Sequence, residues 1–263
     1  MAMKASEFVE RIRLQDFIYK DKRNCIDHIF TGREDKEVSR AATCMVITPD
    51  VLRAAAAWGA DIIVTHEPTF HNDNEDIGNF APYAFKRELL ARKDIAVCRW
   101  HDSPHYGKID YVSNALVKRM GWKGSFDGRF TFIFDEPSTP LQIAKDIRDK
   151  MHIKHPRIAG RRDGEVKKVS LQLGQRGDVP YLAMLENDVD LIIGGEVCEW
   201  EQIEPIRDMA QIGMQKTAII LGHVVSERDV MQDLADYIND TLQAEGVSAR
   251  YFDCGDIYSD IED

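Results

Sequence analysis

Apolar runs and helical periodicities alternate along the first half of the chain. The run DIIVT, residues 61–65, is apolar and short, as expected of a strand buried in a sheet. It follows PDVLRAAAAWGA, residues 49–60, where a proline in the first turn and Gly59 near the end indicate a helix. A helical segment over residues 83–93 and a strand over 94–100 continue the alternation. Strands that alternate with helices predict a mostly parallel sheet with helices on both faces.

The remaining segments predict further elements, and the pattern of polar and apolar residues changes near residue 128. Helices are predicted over residues 5–19, 111–122, 140–151, 199–212 and 227–244, and strands over 44–48, 129–134, 165–174, 190–195, 216–222 and 249–254. The strand RFTFIF, residues 129–134, alternates polar and apolar residues, which is typical of a smaller α+β segment. We therefore predict an α/β protein with mostly parallel sheets flanked by helices. Its two domains are expected over residues 1–125 with 215–263, and over 126–214.

Composition narrows the classes of protein and partner. No segment approaches the ~18 apolar residues of a membrane helix, and the charged N-terminus is unlike a signal peptide, so we expect a cytoplasmic protein without membrane association. The five cysteines are scattered without a CxxC pair, which argues against disulfides and thiolate zinc sites. A net charge of −11 opposes a broad surface for nucleic acid. A small-molecule substrate is the expected partner.

Histidines gather where three predicted strands end. THEPTFH follows the strand at residues 61–65, RWHDSPH follows the strand at 94–100, and LGHVVSE ends the strand at 216–222. These three loops hold five of the eight histidines in the chain. Ligands of open α/β sheets bind beyond the carboxyl ends of strands, and imidazole with carboxylate binds divalent metals. The candidate metal ligands are His66, Glu67, His105, His223 and Glu227.

Each candidate also has a purely structural interpretation. THEPTFH can be a polar turn, and His101 can form a hydrogen bond within its own loop. Glu227 follows Ser226 at a predicted helix start, where an acid is favoured by the helix dipole and Ser226 with Asp229 would form a capping box. Spacing alone leaves both interpretations open.

Four motifs together resemble a known family. ADIIVTHEPTF, HDSPH, DLIIGGE and GHVVSE have the order and roughly the spacing of the Nif-three-like family, some members of which carry the name GTP cyclohydrolase type one, class two. The resemblance covers about residues 40–245, and GHVVSE is similar to the family's GHxxxE element, which contributes to a dinuclear metal centre. It implies that His66, His223 and Glu227 are metal ligands. It also implies two α/β halves and a toroidal homohexamer.

Two positions depart from the family pattern. Glu67 stands where the family has histidine, and His105 stands where it has aspartate. The count of three histidines and two carboxylates is unchanged, so we expect two divalent ions, Zn, Fe, Mn or Ni, with Asp102 as an alternative carboxylate. His101 matches the first histidine of its family motif and is interpreted as the catalytic proton carrier. Glu196 matches a family position near the cleft.

The resulting hypothesis is a metal-dependent hydrolase of a small phosphorylated or heterocyclic substrate, including nucleotide-like ones. The alternative is a non-catalytic metal-binding ring protein that stores or senses metal or scaffolds a partner. A third interpretation is a structural paralogue that has lost its metal through the changes at Glu67 and His105. Turnover, or an open coordination position, separates the first from the second.

Overall fold

A computed structural model of the chain describes residues 2–13, 25–70, 80–177 and 188–259. The chain divides into two compact units, Met1–Lys108 with Val230–Gly255, and Ile109–Asp229 with Asp256–Asp263. Within the described residues, no helix combines the length and apolar character that crossing a membrane requires.

Helices and strands alternate along much of the chain. In order they are β1 (Met3–Lys4), α1 (Ala5–Ile12), β2 (Ile29–Thr31), β3 (Glu37–Val38), β4 (Arg40–Cys44), α2 (Pro49–Trp58), β5 (Ile62–Thr65), α3 (Ala81–Lys93), β6 (Ala96–Arg99), α4 (Asp102–His105), α5 (Tyr111–Met120), β7 (Gly124–Asp127), β8 (Thr131–Ser138), α6 (Pro140–Met151), β9 (Arg157–Gly160), β10 (Val166–Gln175), β11 (Leu191–Glu196), a π-helical turn (Glu199–Ile203), α7 (Glu204–Gln211), β12 (Thr217–Ile220), α8 (His223–Leu242), a 3-10 turn (Gln243–Glu245) and β13 (Ser248–Tyr251).

The first unit contains a five-stranded sheet in the order β13-β4-β5-β6-β2. Its strands are parallel except for β2, which pairs antiparallel with β6 at the edge. Cys44 lies opposite Thr65, and Thr65 lies opposite Arg99, so β4, β5 and β6 end side by side. The loops that follow β5 and β6 therefore leave the sheet at the same edge.

Helix α2 illustrates how the local sequence forms this layer. The side chain of Thr48 accepts a hydrogen bond from the Val51 amide, and Pro49 occupies the first turn, where its missing N–H costs nothing. Gly59 ends the helix in the left-handed region, with φ of 83°. The face that carries Leu52 packs into the sheet's core, and burial of one such side chain contributes about 1.5–3 kcal/mol. The helix predicted from the sequence is thus confirmed.

The second unit contains a six-stranded sheet in the order β7-β8-β10-β11-β12-β9. Only β10, β11 and β12 run parallel, and the other neighbours are antiparallel. This sheet is therefore mixed, whereas the first is mostly parallel as predicted. Its division from the first unit falls after Lys108 and after Asp229, rather than near residues 125 and 215. The difference arises because β12 pairs with β11 and β9 of the second sheet.

Four predicted elements differ in their bounds or in their first turn. The strand predicted over residues 44–48 lies at Arg40–Cys44 instead, where RAATC pairs with strands on both sides. The pattern missed this strand because its residues are mostly small and only weakly hydrophobic. The helix predicted from residue 227 begins at His223, and the helix predicted from 199 begins with a π-helical turn. Helix α1 ends at Ile12, and residues 14–19 of its prediction lie outside the described part of the chain.

Candidate metal-binding residues

Three histidines of the first unit converge where β5 and β6 end. His66 directly follows β5, while His101 and His105 follow β6 and flank the short helix α4. One ring nitrogen from each lies within 4.8 Å of the others, and the ring centroids are 4.7 Å apart for His66 and His101, 5.2 Å for His66 and His105, and 4.8 Å for His101 and His105. Nitrogen ligands at this separation suit a shared divalent cation.

Hydrogen bonds set the proton positions of two of these rings. Nδ1 of His66 lies 3.1 Å from the carbonyl oxygen of Trp100, and Nδ1 of His101 lies 3.1 Å from Oδ1 of Asp102. A carbonyl and a carboxylate can only accept, so each Nδ1 carries the proton and donates it. Each Nε2 then carries the lone pair, which is the form of imidazole that binds metal. The donor set therefore fits a divalent cation.

The local environment keeps His101 neutral and Asp102 ionised. Burial lowers the pKa of His101; its hydrogen bond to Asp102 opposes this, and the neighbouring His66 and His105 lower the pKa further. Burial would raise the pKa of Asp102, but hydrogen bonds from His101 and from the Ile26 amide outweigh it, and the pKa of Asp102 is lowered. The pair is thus an imidazole held by a carboxylate.

Glu67 lies close to His66. One of its carboxylate oxygens is within 4.8 Å of a His66 ring nitrogen, and its Oε2 is 3.8 Å from Nη2 of Arg99. Arg99 is buried, and its Nε donates to the His66 carbonyl at 3.0 Å. A metal bound by Glu67 would therefore share this carboxylate with the guanidinium.

Asp27 supports the histidine cluster and carries no signal in the sequence. Its Oδ1 accepts from the amides of His101 at 2.7 Å and Asp102 at 2.8 Å, and its Oδ2 accepts from the Ser103 amide at 2.6 Å. Asp102 in turn accepts from the Ile26 amide at 3.1 Å, so the two segments hold each other. Asp27 thereby fixes the backbone that presents His101 and His105.

Cys25 lies with Asp27 and Asp102 in a second group of potential ligands. Burial raises the pKa of the Cys25 thiol to about 11, so the thiol is protonated at neutral pH. Because the oxygens of Asp27 already accept three amides, this group is a structural support of the neighbouring histidines.

In the second unit, His223 is the first residue of α8, and Glu227 lies one turn further along the helix. Nε2 of His223 lies 3.3 Å from Oε2 of Glu227, four residues later on the same helix face, and Nδ1 of His223 lies 3.0 Å from Oε2 of Glu196. The Glu196 carboxylate can only accept, so Nδ1 donates to it, and Nε2 of a neutral ring would place a lone pair against the oxygen of Glu227. Two lone pairs at this distance repel each other unless a proton or a cation lies between them. The pair therefore fits a divalent cation.

Two glycines allow close packing beside this pair: Gly174 against Glu227, and Gly195 against Ser226. Strand β10 bulges against β11 between Gln172 and Gln175, and Gly174 within the bulge has φ of 70°. A Cβ at Gly174 would lie 2.3 Å from Oε1 of Glu227, and one at Gly195 would lie 2.6 Å from Oγ of Ser226. Ser226 accepts from the Gly174 amide and donates to the His223 carbonyl, so the predicted capping box with Asp229 is wrong. Ser226 lies within the helix, where it ties α8 to the bulge.

The predicted site residues thus fall into two groups. His66, Glu67, His101 and His105 belong to the first unit, and His223 and Glu227 belong to the second, where Glu196 joins them. His101, predicted as a proton carrier, lies at ligand distance from the other two histidines. His71 lies outside the described residues. The sequence patterns did not predict Asp27 or Gly174. The space that Gly174 and Gly195 leave around Glu227 and Ser226 is called the cradle, and its local sign in the sequence was the Gly-Gly-Glu at 194–196.

Removal of one carboxylate oxygen from Asp27 tests its supporting role. In Asp27→Asn an amide N–H₂ would face a backbone N–H, so we expect the free energy of unfolding to fall by about 1–3 kcal/mol. Metal affinity of the histidine cluster should fall about 10–100-fold, as for other residues that orient ligands. Co²⁺ absorption titration of chelator-stripped protein measures the second effect.

Asp61→Asn is the matched control, because Asp61 likewise accepts two backbone amides, those of Ser39 and Arg40, away from the histidines. It should lower stability while leaving Co²⁺ affinity unchanged. Equal affinities for the Asp27 variant and the parent would refute the role assigned to Asp27.

A methyl group at Gly174 tests the cradle around Glu227. Gly174→Ala combines a left-handed backbone, which costs about 1–2 kcal/mol for an L residue, with displacement of the Glu227 carboxylate. We expect lower stability and loss of the metal bound by His223 and Glu227. Gly177→Ala has a similar φ of 57° but open space around its Cβ, so only the backbone cost should appear there. Full metal content in Gly174→Ala would contradict the cradle.

Comparisons with known proteins agree with the motifs. A profile of the Duf34/NIF3 (NGG1p interacting factor 3) family matches residues 14–254. A Clostridium perfringens (strain 13 / Type A) protein named GTP cyclohydrolase 1 type 2 homolog is 23% identical over 236 residues, covering 82% of this chain and 84% of the relative. A solved Staphylococcus aureus hypothetical protein is 17% identical, with a TM-score of 0.78 over 99% of this chain and 100% of that one. A Bacillus cereus protein related to NIF3 is 14% identical, with a TM-score of 0.77 over 99% of both chains. Because the family profile extends over most of the sequence, this chain belongs to the Duf34/NIF3 family.

Proposed function

We propose that this protein is a metal-dependent hydrolase of a small phosphorylated or heterocyclic molecule. The observation that carries the proposal is the cluster of His66, His101 and His105, whose ring nitrogens lie within 4.8 Å of one another. Catalytic zinc and iron sites gather imidazoles in this way, and we assign His66 and His105 as ligands and His101 as the neighbouring proton carrier. A dinuclear centre of two cations per chain, with His66, Glu67, His105, His223 and Glu227 as its ligands, remains a prediction from the motifs.

The name of the Clostridium perfringens relative, GTP cyclohydrolase 1 type 2 homolog, supports this class of reaction. Hydrolysis of a nucleotide-like heterocycle agrees with that name. The homohexamer implied by the motifs likewise remains a prediction.

The roles of the histidines follow from their exposure and hydrogen bonds. A divalent cation in such a site supplies Lewis-acid chemistry and makes water a usable nucleophile at neutral pH. His66 and His105 are buried, with 0% and 7% of their surface exposed, which suits ligands. The side chain of His101 is 29% exposed, and Asp102 fixes its Nδ1, so its Nε2 is the atom proposed to accept and return a proton.

The full burial of His66 also favours a second candidate function, metal storage or sensing without catalysis. Enclosed ligands suit a closed coordination shell, as in structural sites. The two functions share the ligands and differ in turnover.

Metal content tests the ligand assignment common to both. We expect about two divalent cations per purified parent chain, and the loss of at least one from His66→Ala and from His223→Ala. His28→Ala is the control, because His28 stacks on Phe30 in the first unit with ring centroids 4.1 Å apart, outside the cluster. Elemental analysis of the four proteins decides the assignment, and unchanged metal in both site variants would reject it.

Turnover tests the hydrolase. Protein stripped by a chelator and reloaded with Zn, Fe, Mn or Ni should hydrolyse at least one phosphorylated or heterocyclic substrate. Hydrolysis is measured by the release of phosphate and by the change in ultraviolet absorbance. His101→Gln should retain metal while kcat falls about 10²–10⁴-fold, the usual contribution of a proton carrier. Metal binding without turnover in the parent would favour storage or sensing, and loss of metal from His101→Gln would make His101 a ligand.

A further inference from the structure

We propose that the second unit binds the phosphate group of a small organic phosphate in a crevice beside β9 and β12. The proposal deepens the proposed function, on which it rests for the assignment of this ligand as the substrate. The crevice has a volume of about 560 Å³, within the range of about 300–1,000 Å³ that small-molecule sites occupy. It is distinct from the His223–Glu227 pair, since neither side chain lines it.

The crevice lies where ligands of α/β sheets commonly bind. Arg157 begins the edge strand β9 and pairs with Ile220, the last residue of β12. The lining continues through Leu221 and Gly222, beyond the carboxyl end of β12, and is completed by residues between Asp256 and Ser259. The floor is apolar, because Ile153, Ile220 and Leu221 are each exposed by 6% or less.

Four nitrogen-bearing side chains enter the lining from one short loop. His152, Lys154, His155 and Arg157 lie within the sequence HIKHPR that joins α6 to β9. Lys154 contributes a compact positive charge and Arg157 a planar fork of donors, and these are the two side chains that proteins use to bind phosphate. Asp256 is the one carboxylate among the described residues that line this crevice. In a chain of net charge −11, this loop is a local concentration of basic groups.

The loop begins with a residue other than glycine in the left-handed region of backbone conformation. His152 ends α6 in the left-handed region, with φ of 55°. Glycine is the usual residue at such a helix end because it adopts this conformation without strain. Histidine at this position instead contributes an imidazole to the crevice lining.

The carboxylate of Glu199 would compete with a phosphate for Arg157. Nη1 of Arg157 forms an ion pair with Oε1 of Glu199, and the two side chains are 64% and 67% exposed. Exposed ion pairs contribute little, so a phosphate in the crevice can take the place of Glu199 on the guanidinium. Removal of the Glu199 charge should therefore strengthen phosphate binding.

The position of the crevice connects it to the proposed reaction. Gly222 lines the crevice and directly precedes His223, which contacts Glu227 at 3.3 Å. A phosphate in this crevice would therefore lie in a pocket whose lining ends at the residue before a proposed metal ligand. A phosphorylated substrate is the ligand class that uses both groups.

Calorimetric titration of metal-stripped protein with inorganic phosphate and with pyrophosphate tests the site. Removal of metal ensures that binding reports the basic loop and not coordination to a cation. We expect binding of both anions, with an affinity about tenfold weaker in Lys154→Gln and in Arg157→Gln. Glu199→Gln should bind several-fold more tightly. Citrate is a further arm, and citrate binding as tight as that of pyrophosphate would overturn the assignment to phosphate.

Arg162→Gln is the matched control, because Arg162 is an exposed arginine beyond β9 and outside the crevice, and its substitution should leave affinity unchanged. The proposal is overturned if the parent does not bind either anion, or if Lys154→Gln and Arg157→Gln bind like the parent. The metal content of these variants should equal that of the parent. Weakened phosphate binding with unchanged turnover on the reloaded enzyme would support the site and reject the ligand as the substrate.

Discussion

The parallel register of β4, β5 and β6 is the constraint on which the histidine cluster depends. Because Cys44, Thr65 and Arg99 lie opposite one another, the residues that follow them leave the sheet together. Backbone hydrogen bonds continue the alignment past the strands, from the His66 amide to the Cys44 carbonyl at 3.2 Å and from the Trp100 amide to the Thr65 carbonyl at 3.0 Å. A shift of one residue would turn His66 to the opposite face of the sheet.

Both units use a carboxylate to orient an imidazole. In the first, Asp102 holds Nδ1 of His101, and in the second Glu196 holds Nδ1 of His223. A carboxylate at Nδ1 fixes the orientation of a neutral ring and leaves the lone pair on Nε2, which increases the basicity of that nitrogen. The two carboxylates differ in environment, since Asp102 is buried and Glu196 is largely exposed. The coupling at His101 is therefore less screened by solvent.

Glycine and aspartate supply the support that these rings require. Gly174 lets a carboxylate approach the backbone of β10, a position that any Cβ would fill. Asp27 accepts hydrogen bonds from three consecutive amides at the start of α4. These bonds stabilise a four-residue helix that is too short to be stable by itself in water. Each support acts on one or two site residues and would be invisible in a description limited to the ligands.

Local patterns in the sequence determined most of the elements and the candidate chemistry. The apolar run at Ile62–Thr65, the proline and glycine around α2, and the histidines after each strand are local features, so periodicity and turn chemistry were sufficient to predict them. The sequence likewise determined the family, through four motifs whose order survives at low identity.

The tertiary structure decided what depends on pairing between distant residues. Asp27 and His101 are separated by 74 positions, and Gly174 and Ser226 by 52, so no local pattern connects them. The tertiary fold also placed β12 in the second sheet and started α8 at His223, which put His223 and Glu227 on one helix face. Strand pairing and the proton positions on imidazole depend on the free energy of the assembled fold, whereas a sequence pattern reports only the preferences of neighbouring residues.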